Sequence, residues 1–90
     1  MKPNILIVED EEAISMMIRY NLEKENFDVE VVDDGEDALY AAQEKVPDLI
    51  LLDWMLPSMS GIELCQKLRG IEETRAVPII MLTARGEESD

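Results

Sequence analysis

Two apolar runs in this chain stop abruptly on acids, and a third stops on a hydroxyl. Asn4-Ile5-Leu6-Ile7-Val8 ends at Glu9-Asp10-Glu11-Glu12, Asp48-Leu49-Ile50-Leu51-Leu52 ends at Asp53, and Pro78-Ile79-Ile80-Met81-Leu82 ends at Thr83. Hydrophobic burial gains nothing from an ionised terminus, so packing alone does not explain a buried strand that delivers Asp53 to an open edge. If Glu9, Asp10 and Asp53 come within a few ångströms of one another, they cannot all stay ionised unaided. A bound cation removes the conflict. An all-oxygen set on an open edge suits Mg²⁺, which keeps waters and takes few protein ligands. The chain has no histidine and one cysteine, which argues against zinc. Asp53, at the centre of such a cluster, is a candidate nucleophile towards phosphorus, since carboxylates attack phosphoryl groups to give acyl phosphates. Thr83 offers a hydroxyl to a phosphoryl oxygen from the neighbouring strand. Each signal alone has an ordinary explanation, because an acid after a strand is commonly a helix cap and a threonine at a strand end is commonly a β-former. Their coincidence at three strand ends points to a metal-binding α/β domain suited to phosphoryl chemistry.

The elements that must position these residues follow from the pattern. Asn4 to Val8 and Asp48 to Asp53 lack alternation, as parallel strands buried on both faces do. Phe27 to Val32 alternates more and reads as a strand nearer an edge; Pro78 to Thr83 is the fourth. Between them, Ile14, Met17, Ile18 and Leu22 mark the inner face of a first helix, with acids at its amino end where the macrodipole favours them. Asp33-Asp34-Gly35 ends the second strand, and Asp34 is the expected N-cap of a helix turning Ala38, Leu39, Ala41 and Ala42 inward. Lys45 complements its carboxyl end, and Val46-Pro47 stops it. Ser60 and Glu63 form the capping box of a third helix, with Leu64, Cys65 and Leu68 inside and Gly70 as terminator. Met55 and Leu56 are expected to pack, and Trp54 to be a lone exposed apolar residue.

The order βαβαβαβ predicts a doubly wound, flavodoxin-like parallel sheet with right-handed crossovers. With strand order 2-1-3-4, helix one covers one face and helices two and three the other. The topological switch then lies between strands one and three, at the carboxyl ends that carry Asp10 and Asp53.

Composition bounds the reading. Ninety residues make one domain at most, with a core built from aliphatic side chains and methionine because aromatics are scarce. Eight Lys and Arg face 21 Asp and Glu, a net charge of −13. That balance argues against duplex binding by this segment, which needs cations to neutralise phosphates. One cysteine cannot form an internal disulfide, and no apolar run reaches membrane-spanning length, so a cytoplasmic domain without membrane contact is expected.

Four stretches together resemble the receiver domain of bacterial two-component response regulators, of the OmpR/PhoB (phosphate-regulon regulator) type. They are Ile5-Leu6-Ile7-Val8-Glu9-Asp10-Glu11, Pro47 through Pro57, Ser60-Gly61, and Pro78 through Glu87. The resemblance implies that Asp53 accepts a phosphoryl group from the phosphohistidine of a sensor histidine kinase. It implies that the Asp10 and Asp53 side chains and the Met55 carbonyl bind Mg²⁺, with Glu9 helping through water. Thr83 would contact the phosphoryl group, and Ala84 would leave room and a backbone N–H. Receivers of this type precede a winged-helix DNA-binding domain, so DNA is a partner only through that domain. They also continue through a fourth helix, a fifth strand ending in a lysine, and a fifth helix. Lys2, Lys24, Lys45 and Lys67 all sit in other elements. Residues 1–90 are therefore expected to be a single partial receiver domain, with an apolar fourth-strand edge through which it could self-associate.

Competing readings are a Mg²⁺-dependent phosphatase with an Asp nucleophile, a flavin or nucleotide binder, and a receiver-like interaction module that is never phosphorylated. The phosphatase mechanism wants a second acid two residues beyond the first, where this chain has Met55. The nucleotide binder lacks a glycine-rich cradle after strand one. A signalling module that catalyses only its own phosphotransfer and dephosphorylation is the leading expectation.

Overall fold

The two runs without alternation become the central strands. In the structure, a computed structural model that describes residues 2–82, β1 (Asn4–Val8) lies between β2 (Asp28–Val32) and β3 (Leu49–Asp53), and β4 (Ile79–Leu82) follows β3. All pairs are parallel and the order is 2-1-3-4, as expected. Among the described residues β2 and β4 are the edges, which accounts for the alternating exposure of β2. The helix that residues 84–90 could begin, like Thr83 itself, lies outside the described residues.

Alternate residues of the central strands serve opposite faces. Leu6, Val8, Ile50 and Leu52 form a core with Ala38, Ala41 and Ala42 of α2 (Gly35–Glu44) and with Leu64 and Leu68 of α3 (Gly61–Arg69). Cys65 packs against that core as a small half-buried residue. The opposite face, carrying Ile5 and Ile7, is covered by α1 (Glu12–Lys24), which packs on β1 and β2.

α1 departs from its expected register. Ser15 is its buried residue, Ile18 and Leu22 are half-buried, and Met17 is 58% exposed. The buried arc is rotated towards Ser15, which lies on the far side of Ile18 from Met17 at about 100° per residue. A small side chain there lets the helix sit closely on the sheet, while its hydroxyl donates to the Glu12 carbonyl at 3.1 Å. Methionine two positions on is left facing outward.

The caps follow the sequence. The Asp34 carboxylate accepts from the Asp37 amide at 2.8 Å and the Ser60 hydroxyl from the Glu63 amide at 3.1 Å. Gly70 ends α3 in a right-handed conformation, so its flexibility is not used there; among the described residues the left-handed one is Asn26 at φ 71°, in the turn after α1. Asparagine tolerates that region and alanine does not. Asn26→Ala should therefore lower stability by about 1 kcal/mol in urea unfolding.

The polar connection after α3 is tied down from within. Thr74 is fully buried and its hydroxyl donates to the Leu68 carbonyl at 2.6 Å, while Arg69 donates to the Arg75 and Val77 carbonyls at 2.7 Å each. These bonds deliver the chain to β4 in register with β3. At the other end of the sheet, Asp48 accepts from the Asn4 amide at 2.7 Å and its own amide donates to the Asn4 carbonyl, fixing β3 against β1.

Candidate functional site: three carboxylates at the sheet's carboxyl edge

Register brings the acids together. Val8 pairs with Leu52, so the next residues along, Glu9 and Asp53, lie side by side as both strands end. The Glu9 amide extends the ladder one residue further by donating to the Val32 carbonyl at 3.0 Å. One carboxylate oxygen from each of Glu9, Asp10 and Asp53 lies within 4.8 Å of the others. Glu9 is buried, Asp53 half-buried and Asp10 exposed, so the group opens from the sheet edge to solvent.

Burial raises the Glu9 carboxyl above its ordinary value near 4.5; the Glu11 amide, donating to its Oε2 at 3.1 Å, opposes this, and the negative charges of Asp53, Asp10 and Glu11 add to it. An acid raised in the folded state holds its proton there when the unfolded chain has lost it. Stability therefore falls as pH rises from 4.5 through the folded value and stays depressed above it. Compared with Glu9→Gln, which has no such proton, the metal-free wild type should lose stability across this window. Urea midpoints of the two chains from pH 4.5 to neutrality measure the difference.

Asp53 is the last residue of β3 and pairs with Leu82 of β4. Its Oδ1 accepts from the Trp54 amide at 2.8 Å, a contact the sequence did not suggest, which restricts the rotation of the carboxylate. Beyond it the chain forms a closed loop: Met55 and Ser60 make an antiparallel bridge, and the Gly61 amide donates to the Trp54 carbonyl at 2.7 Å. Met55 is 57% exposed, contrary to the expectation that it packs, because the bridge uses its backbone and the loop turns its side chain away from the core. Leu56 does pack against the core, and Trp54 is exposed as expected. Thr83 and Ala84 lie outside the described residues.

The donor set fits a hard divalent cation: three carboxylates, all oxygen, one of them buried and disfavoured as an anion. A second acidic group, Asp33, Asp34 and Asp37, is equally close, but Asp34 is committed to capping α2 and the others sit where that helix favours negative charge. Beside β2 runs a groove of about 820 Å³ whose walls, among the described residues, carry Glu9, Asp10, Glu12, Glu30, Asp33, Asp37 and Glu44 against one cation, Lys45. Such walls repel a nucleotide's phosphates, which weighs against the nucleotide-binding reading.

Residues 5–90 match the family model of the response regulator receiver domain. The chain belongs to that family. Over all 90 residues it is 59% identical to the phosphate regulon transcriptional regulatory protein PhoB of Rhizobium meliloti and 49% identical to the alkaline phosphatase synthesis transcriptional regulatory protein PhoP of Bacillus subtilis. It spans 40% and 37% of those proteins' lengths. Among solved structures, the receiver domain of a sensor histidine kinase from Pseudomonas aeruginosa, described with a magnesium ion coordinated in the active-site cleft, is similar at TM-score 0.88 and 30% identity. The match covers 100% of this chain and 76% of that one. The chemotaxis response regulator CheY4 of Vibrio cholerae matches at TM-score 0.88 and 28% identity, over 99% of this chain and 77% of the other. This receiver is thus a signalling domain with the α/β fold of its relatives. Among its described residues no helix is long and apolar enough to cross a membrane.

Proposed function

We propose that this receiver takes a phosphoryl group onto the Asp53 carboxylate from the phosphohistidine of a sensor histidine kinase. The observation that carries the reading is the convergence of the Glu9, Asp10 and Asp53 carboxylates at the end of β1 and β3. An oxygen of Asp53 forms a bond to phosphorus while the bond from phosphorus to the imidazole nitrogen breaks, leaving its electron pair on the ring. The product is an aspartyl phosphate, which water returns to the carboxylate with release of inorganic phosphate. The Trp54 amide, donating to Asp53 Oδ1 at 2.8 Å, limits how the carboxylate can turn and so helps orient it towards the incoming group. Asp10 and Asp53, with the Met55 carbonyl and with Glu9 through water, are the groups that would hold Mg²⁺. When bound, the ion neutralises charge so that the carboxylate and the phosphoryl group can approach. Thr83 and Ala84 are proposed to contact the transferred group.

The 59% and 49% identical relatives are transcriptional regulatory proteins, so the proposed consequence is control of a winged-helix DNA-binding segment in the cytoplasm. The edge of β4, where Ile80 is 52% exposed, is proposed as a route to self-association. Sedimentation at rising concentration should show it, and a monomer throughout would count against it.

Phosphoryl uptake is tested by incubating the chain with acetyl phosphate and Mg²⁺ and weighing the intact protein. One added phosphoryl group, mapped to Asp53, is expected. Absence of the adduct would favour the unphosphorylated interaction module, and steady turnover of a generic phosphate ester would favour the phosphatase.

A further inference from the structure

Three glycines of this receiver lie in or beside its helices, and none of the described glycines has a positive φ. Backbone freedom is therefore not what Gly61 supplies. A Cβ at Gly61 would collide with the carbonyl oxygen of Asp53, and would come within 3.1 Å of the Trp54 carbonyl oxygen and the Met81 Cε. Two of these three obstacles are backbone atoms, of Asp53 at the end of β3 and of Trp54 just beyond it. At Gly35 the obstacle is the flexible Met59 side chain, and at Gly70 only ordinary contacts at 3.5 Å or more arise.

The first residue of α3 therefore rests directly on the peptide of the residue proposed to take the phosphoryl group. We propose that Gly61 is a positioning residue for Asp53, which deepens the phosphoacceptor reading and rests on it. Its bare Cα lets α3 close on the end of β3, and its amide binds the Trp54 carbonyl at 2.7 Å. The bridge from Met55 to Ser60 adds a second tie across the same loop. Asp53 is thereby held both by its pairing with Leu82 of β4 and by the amino end of α3, which lies against its carbonyl oxygen. The nearest obstacle to an alanine at position 61 is the Asp53 carbonyl oxygen and not the flexible Met81 side chain, so the contact between α3 and the end of β3 must itself give way. Metal sites and near-attack geometries are sensitive to displacements well below 1 Å, and loss of a supporting group typically costs about 10- to 100-fold in affinity or activity.

The test compares wild type, Gly61→Ala and Ala42→Gly, the last a destabilising change inside α2 away from the site. Mg²⁺ is titrated by the fluorescence of Trp54, and the rate of adduct formation from acetyl phosphate is read by intact mass at saturating Mg²⁺. Trimethylamine N-oxide keeps each variant compact, checked by circular dichroism. Gly61→Ala should weaken Mg²⁺ binding and slow uptake by about tenfold each, while Ala42→Gly leaves both within about twofold. A second variant, one glycine inserted between Met59 and Ser60, loosens the same loop without adding a Cβ and should show the same losses. It also decides the matter if Gly61→Ala does not fold.

Wild-type behaviour in both altered chains would overturn the inference while leaving the phosphoacceptor reading intact. Full recovery of Gly61→Ala on adding Met81→Ala would overturn it too, by showing that a side chain and not the Asp53 carbonyl was the obstacle. Failure of the wild type itself to take up phosphate would sink the parent reading and the inference with it.

Discussion

Asp53→Asn will form no phosphoryl adduct at all, and without divalent ions it will be more stable than the wild type. Asparagine keeps an oxygen for the Trp54 amide, so the loop after β3 retains its tie. It offers no anionic oxygen to attack phosphorus, and the loss of uptake is complete. It also removes one of three negative charges whose oxygens lie within 4.8 Å. At this partly exposed edge the relief is worth on the order of 1 kcal/mol after solvent screening. Urea midpoints in a chelator should therefore rise in the variant. Millimolar Mg²⁺ should raise the wild type and leave the variant nearly unmoved, because a ligand stabilises only the state that binds it. A lower midpoint for Asp53→Asn in chelator would mean that the three acids do not repel one another as their positions imply.

Leu52→Ala is the second large effect and acts from below the site. Leu52 is fully buried, belongs to the core shared by the central strands with α2 and α3, and immediately precedes Asp53. Truncating a buried leucine removes transfer free energy and leaves a cavity, together about 2–5 kcal/mol. Small domains hold only about 5–15 kcal/mol in total, so much of the folded population could be lost at physiological temperature. Uptake of phosphate should fall with the folded fraction and return with trimethylamine N-oxide. Asp53→Asn, by contrast, should stay inert however well folded it is. Calorimetric melting and intact mass on the same samples separate the two cases.

The order of the strands and the meeting of Glu9, Asp10 and Asp53 were legible in the sequence for a topological reason. Right-handed crossovers and one reversal of direction leave few ways to arrange four strands, and the switch point then fixes which strand ends are neighbours. The caps at Asp34 and Ser60 were legible because their chemistry is local. What escaped depends on how elements meet. A 3.6-residue period marks a face of α1 without saying whether Ser15 or Met17 lies nearer the sheet, and fit against β1 and β2 chose the smaller residue. Hydrophobicity placed Met55 inside, but the bridge to Ser60 engages its backbone and leaves the side chain in solvent. Thr74 lies in the polar run Glu72-Glu73-Thr74-Arg75, yet its hydroxyl satisfies the Leu68 carbonyl deep in the fold. The close approach of Gly61 to Asp53 was invisible because nothing in a glycine's neighbours along the chain announces what lies across from it.

Calorimetric titration of the chain with Mg²⁺ tests most directly whether the acids at the ends of β1 and β3 act together. One saturable site is expected, with binding weakened at least about tenfold in each of Asp10→Asn and Asp53→Asn. Heat that shows no saturable site, or affinity unchanged when either carboxylate is replaced, would contradict the account.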